Sequence, residues 1–218
     1  MTRSSFDLGL NQMHNDLLKM GSIVEKQIYS CIEALKNQDI DLAYKVIDND
    51  DLVDNLQKEI EDKAIKLIAM QQPLATDLRT IFTTTKIVTD LERMADHAVD
   101  ISKIVIRLKN QQYIKELVDI PKMAEIVQRM IKLSIDAYIN RDAEKAYEIC
   151  KIDDEVDALY KKVFAELLGF MTKDKNTISQ SAQFLFVCKF LERIADHVTN
   201  ICEWTIYLVT GKQVDLNE

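Results

Sequence analysis

Apolar residues recur every three or four positions along almost the whole chain, the spacing of one face of an α-helix. Between Ser4 and Leu35 the positions Leu10, Met13, Leu17, Met20, Val24, Ile28 and Cys31 keep this rhythm and predict a first helix. Asp39 is placed to begin a second, running to about Gln72, and Pro73 suits the first turn of a third that reaches about Leu108. The pattern then starts again: a shorter helix over about Pro121 to Asn140, another from Asp142 to about Met171, and a last one from near Thr177 to just before Gly211. The Thr177 hydroxyl with Gln180 three residues later predicts a capping box at the start of that last helix. Long helices with short links pack as antiparallel neighbours, so the expected fold is all-α, two three-helix bundles in tandem. The boundary is expected within LKNQQYIKELVDIP, residues 108–121, giving units 1–112 and 113–218.

The two units are related by internal duplication. NQDIDLAYKVIDNDDLVDNL (37–56) matches NRDAEKAYEICKIDDEVDAL (140–159) at nine of twenty positions, offset by 103 residues. LERMADHA (91–98) matches LERIADHV (191–198) at six of eight, offset by 100. The second octapeptide repeats an arrangement that ought to be avoided: acids four apart on a helix lie side by side and repel by roughly 0.2–0.5 kcal/mol. On a helical wheel Glu92 and Asp96 border an apolar arc that includes Leu91, Met94, Ala95, Ala98 and Val99, and Glu192 and Asp196 border its repeat. Asp100, with Asn200 in its place in the second copy, lies a little further round as a possible additional site.

A second acidic pair, Asp50 with Asp54, is echoed by Asp153 with Asp157. If helices 2 and 3 form a hairpin about Pro73, Asp54 comes level with Glu92, and Asp50 with Asp96, because each pair is equidistant from residue 73. The same holds in the second half, where 157 with 192 and 153 with 196 are equidistant from the polar stretch TKDKN, 172–176. Four carboxylates are therefore expected at one level in each bundle, costly unless a cation joins them. Carboxylate oxygens with water suit hard divalent ions such as Mg²⁺, Ca²⁺, Mn²⁺ or iron. The competing reading is a set of solvated ion pairs, with Arg93 reaching Asp90 or His97, Lys189 reaching Glu192 and Arg193 reaching Asp196. Spacing leaves both open. His97 and His197 turn about 100° away from the acids, toward a surface or intersubunit hydrogen bond, and Cys188 and Cys202 fall on the apolar arc as packing residues.

Composition narrows the classes. Only 4 Gly and 2 Pro among 218 residues, with 47% apolar and 29% charged, exclude the turn-rich all-β architectures. The formal net charge of -8, with Lys and Arg interleaved among acids, makes nucleic acid an unexpected partner. No apolar run approaches the roughly 20 residues of a membrane span, so membrane association is expected only peripherally, through partners. Four scattered cysteines without a CxxC pair, and no charged-then-apolar leader before them, point to a reduced, cytoplasmic setting. No phosphate loop, GxSxG or paired nucleophile and base is present, and neither Glu92 nor Glu192 starts the Glu-x-x-His motif of a di-iron bundle.

With these residues in view the chain resembles the PhoU family, which carries two Glu/Asp-x-x-x-Asp helix motifs in tandem three-helix bundles. Those motifs correspond to Glu92–Asp96 and Glu192–Asp196; QQPLATDLR (71–79), KMGSIVE (19–25) and ERIADHVTNICEW (192–204) are similar to further family segments. One departure is Asp100, where the family often has Asn. The resemblance implies a non-enzymatic negative regulator of phosphate uptake and of the phosphate-starvation response. It would be a cytoplasmic homodimer acting as an adaptor between a phosphate ABC transporter ATPase (PstB-like) and a sensor histidine kinase (PhoR-like). It also implies variable metal content, since some members carry multinuclear iron or zinc clusters at these acids and others none. Two readings from other classes stand beside it: a carboxylate-metal dependent phosphohydrolase, and a purely structural helical dimer.

Overall fold

The computed structural model describes residues 3–71 and 73–216; Gln72, the expected end of the second helix, lies outside them. The first helix, α1 (Arg3–Asn37), buries Met13, Leu17, Met20, Val24, Ile28 and Cys31 completely, the stripe its periodicity predicts. It stops at Gln38, whose φ of 53° takes the left-handed conformation that ends many helices. Asp39 then caps α2 (Ile40–Asp48), its Oδ1 accepting from Leu42 N at 2.9 Å. The second half repeats the device: α5 (Asp119–Asn140) ends at Arg141 with φ 52°, and Asp142 Oδ1 accepts from Lys145 N at 2.9 Å to start α6 (Ala143–Cys150). Gly211, with φ 73°, closes the final helix.

Three expectations change. The second helix is two, because α2 stops at Asp48 and α3 (Asp50–Gln71) starts two residues later, after Asn49, and the fifth is likewise divided into α6 and α7 (Asp153–Lys173). Asn49 accounts for the first break and the Lys151–Ile152 turn for the second: each lets the short helix lie along its bundle while an acid-rich first turn opens the next. The shorter helix of the second half begins at Asp119, which places Pro121 in its first turn, where a missing N–H costs nothing. The Thr177–Gln180 capping box does not form. Thr177 Oγ1 donates instead to Asp174 O at 2.7 Å in the short 3₁₀ turn Lys175–Thr177, ahead of α8 (Ile178–Thr210). The buried Gln180 holds the linker: its Oε1 accepts from Ile114 N at 2.6 Å and its Nε2 donates to Gln112 O at 3.1 Å.

Two long helices, α4 (Ala75–Arg107) and α8, make the most extensive helix–helix contact among the described residues. Residue 82 meets 204 and 207, residue 90 meets 197 and 200, and residue 97 meets 190 and 197, so the two helices run antiparallel and their repeated octapeptides face each other. α1 packs on α4 and α5 on α8, while α1 and α5 also touch, closing a central layer of four helices. The pair α2 and α3 flanks α1 and α4, and α6 and α7 flank α5 and α8, so each half is a three-helix bundle on a shared apolar core. Gly21 marks the close approach of α1 to α5: a Cβ there would lie 2.3 Å from Ile135 Cδ1. No strand occurs among the described residues, and no helix among them is long and apolar enough to cross a membrane.

Candidate acidic sites at the helix crossing

The two helix breaks decide where the first acids sit. Asp50 is the first residue of α3 and Asp153 the first of α7, at the positive end of each helix, where a carboxylate is favoured. Asp54 and Asp157 follow one turn later, and the octapeptides of α4 and α8 bring Glu92 with Asp96, and Glu192 with Asp196, alongside.

Two acids in each set are raised by burial and by their carboxylate neighbours. Burial, then the charges of Asp96 and Asp54, push the Asp50 carboxyl up to about 6 despite Lys103 nearby. Burial, then Asp196, Asp157 and Glu192, raise Asp153 to about 6 as well. Glu92 is raised by burial and by Asp96, Asp54 and Asp50, with Arg93 opposing. Asp196 is raised by burial and Glu192, with Lys189 and His197 opposing. Like charges share a partly desolvated site twice over, the pattern that two aligned hairpins predict.

Cations answer part of this charge. Arg93 Nη1 donates to Asp96 Oδ2 at 2.8 Å and its Nε lies 3.3 Å from Glu92 Oε2, so it serves its own cluster and not Asp90 or His97. Lys189 pairs with Glu192, Lys161 with Asp157 at 3.0 Å, and Lys103 with Asp100 at 3.1 Å. Even so, Asp153 Oδ1 is buried without a hydrogen bond, and the buried Glu92 Oε2 makes none beyond its 3.3 Å ion pair with Arg93. That is the signature of a group suited to a cation, and an all-oxygen donor set fits a hard divalent ion. Among the described residues no three acidic, histidine or cysteine side chains already converge to enclose one, so holding a metal requires Arg93, Lys161 or Lys189 to yield its carboxylate.

The histidines lie elsewhere than expected: both are half-buried in the seam between α4 and α8. His197 Nδ1 is 2.9 Å from Oδ1 of the buried Asp90, which also accepts from Asn200 Nδ2 at 3.1 Å. His97 occupies the repeat-related position but meets Phe190 where His197 meets Asp90, and stacks on that ring with centroids 5.4 Å apart. Burial first, then His197 and Arg193, hold the His97 imidazole down to about 4. A periodic pattern says only that an edge residue is half-buried; the neighbour covering it comes from 100 residues away. Asp90 was missed for the same reason, although a signal existed: it is a place where the duplicated halves carry opposite chemistry, Asp90 against Phe190. The crossing opens into a polar cleft of about 630 Å³ that Asp50, Asp96 and His97 share with Arg193, Asp196 and His197, so both acidic clusters border one space.

Residues 17–105 and 120–205 each match the PhoU domain. The chain is 58% identical over 219 residues to the phosphate-specific transport system accessory protein PhoU homolog of Clostridium acetobutylicum, covering 100% of both chains. It is 38% identical to the homolog of the same name in Zymomonas mobilis, over 98% of this chain and 90% of that one. Among solved structures, the crystal structure of PhoU from Pseudomonas aeruginosa superposes with a TM-score of 0.91 at 34% identity, covering 95% of this chain and 100% of that one. The phosphate transport system regulatory protein PhoU from Streptococcus pneumoniae gives 0.90 at 32% identity, over 96% and 99%. With both bundles matched, and a relative aligned end to end at more than half identity, the chain belongs to the PhoU domain family.

Proposed function

We propose that this chain is a negative regulator of phosphate uptake and of the phosphate-starvation response, working as a cytoplasmic homodimer that links a phosphate ABC transporter's ATPase to a sensor histidine kinase. The observation that carries the reading is the full-length match to a phosphate-specific transport system accessory protein. The absence of a nucleophile and base pair from the sequence motifs agrees with an adaptor role in place of catalysis. In this reading the two acidic clusters are the recognition surfaces. A divalent ion, iron or zinc among the candidates, bound by Asp50, Asp54, Glu92 and Asp96 or by Asp153, Asp157, Glu192 and Asp196, would neutralise charge and stiffen the surface that a partner meets.

The direct test is calorimetry of the purified ATPase and the kinase's cytoplasmic region against the wild type and a Glu92→Ala, Asp96→Ala double variant. Helicity should be retained and binding weakened; unchanged binding in the double variant refutes the assignment of the clusters. Elemental analysis of protein purified without a His-tag, before and after chelation, reports on the metal separately.

A further inference from the structure

A second surface lies away from the acids. Between α3 and α4 runs a groove of about 800 Å³ with Ala64 and Ile81 as its buried floor. Ile65 and Ile68 form one wall and Leu78 and Phe82 the other, and all four stay large and solvent-exposed at 41–65%. Exposed aliphatic side chains three and four residues apart on neighbouring helices make the trough that receives the apolar face of an added helix. The stretch of α4 along it, from Ala75 to Thr89, is about 21 Å at 1.5 Å per residue, or about four helical turns.

The rim supplies the sign of the partner. Lys86 Nζ stands 5.5 Å from the centre of the Phe82 ring and 5.7 Å from that of Trp204, and the Arg79 guanidinium lies 5.5 Å from that of Tyr207. Neither cation makes an ion pair among the described residues; both rest on aromatic faces beside the groove. They are seven residues apart on one helix, about 10.5 Å or two turns. The duplicated half acts as an internal control on packing. Its hairpin keeps the exposed aliphatics, with Leu168 at 49% and Ile178 at 45% for Ile65 and Leu78, but carries Ser179, Ala182 and Phe186 where the first half has Arg79, Phe82 and Lys86. The three-helix scaffold therefore does not need this aromatic and cationic rim.

We infer that the groove between α3 and α4 docks an amphipathic helix of a partner protein that carries carboxylates about two turns apart beside its apolar stripe. In a chain of net charge -8 the α4 side of this trough carries two cations against the single carboxylate of Glu61 on the α3 side, and charge complementarity along α4 selects an acidic partner face. A second copy of this chain joined groove to groove about a two-fold axis would set Lys86 and Arg79 against the same cations. The inference deepens the adaptor reading and rests on it, since it names the chemistry by which a partner is held.

The test measures binding of the purified transporter ATPase and of the kinase's cytoplasmic region to the full chain by biolayer interferometry, at low and moderate salt. Lys86→Glu and Phe82→Asp should each weaken one of these interactions tenfold or more, and Lys86→Glu should also flatten its salt dependence, with circular dichroism unchanged. Ile68→Asp repeats the measurement on the opposite wall, should Phe82→Asp disturb the rings packed on it. Binding that survives all three variants overturns the groove and leaves the adaptor reading intact; a wild type that binds neither protein overturns both. If the variants instead abolish self-association in sedimentation, or binding to phosphatidylglycerol vesicles, the occupant is a second copy or a membrane and the inference is wrong.

Discussion

His197 Nδ1 lies 2.9 Å from Asp90 Oδ1 across the crossing of α4 and α8, tying the two halves of the chain together at the point where their repeated octapeptides meet. Asp90 is buried, and Asn200 Nδ2 donates to the same oxygen. Replacing it by Ala leaves two donors without their acceptor, so Asp90→Ala should lose about 1–3 kcal/mol of unfolding free energy in urea. Asp90→Asn, which still offers an oxygen, should lose less. Equal losses in the two variants would mean that the carboxylate acts through packing alone.

The acidic clusters predict a gain from neutralisation. Folded Asp50 and Asp153 hold their protons up to about pH 6, whereas the unfolded carboxyls release them near 3.8, so the folded state binds more protons between these values and stability falls as pH rises through that window. Both groups are only half-buried, and after discounting for solvent screening each costs about 1 kcal/mol above pH 6. In the presence of chelator, Asp50→Asn and Asp153→Asn should therefore melt higher than wild type at pH 8 and match it at pH 4. The same variants should bind added Mn²⁺ more weakly; a lower melting point at pH 8 would show that the acids are already neutralised by their lysine and arginine neighbours.

Gly21, within the KMGSIVE segment, sits where α1 meets α5, and a Cβ there would lie 2.3 Å from Ile135 Cδ1. Gly21→Val should overpack this contact and cost about 1–3 kcal/mol. Adding Ile135→Val, which removes the atom in the way, should recover part of the loss in thermal melts. Gly21→Ala should be near neutral, because a gain of about 1 kcal/mol in helix propensity offsets moving the tip of a flexible side chain.

The paired caps offer a measure of how alike the two halves are. Asp39 and Asp142 each accept a hydrogen bond of 2.9 Å from a backbone N–H three residues on. Asp39→Ala and Asp142→Ala should each cost about 1 kcal/mol, within a range of about 0.5–2. A large difference between the two, read from chemical denaturation, would show that the duplicated helix starts no longer carry equal weight.

Much of this architecture was legible in the chain because it follows from local rules. The apolar stripe of α1, the caps at Asp39 and Asp142, the turn about Pro73 and the duplicated acids all depend on residues within a few turns of one another. Even the break before Asp50 left a trace, since Asp48-Asn49-Asp50-Asp51 is rich in residues that favour helix starts, but apolar periodicity continued across it and masked the signal. Periodicity reports which face of a helix is buried and is silent about what covers it. Only the antiparallel crossing of α4 and α8 decided that His97 and His197 turn inward, that Asp90 anchors one of them while Phe190 stacks on the other, and that Asp50, Asp96 and Asp196 border one cleft. Gln180 was likewise free to cap its own helix until the linker, 66 residues away, claimed its amide. Local sequence determined the helices and the charges they carry; the long-range packing of the two copies decided which of those charges meet, because a half-buried edge residue takes its partner from whichever distant element comes to lie against it.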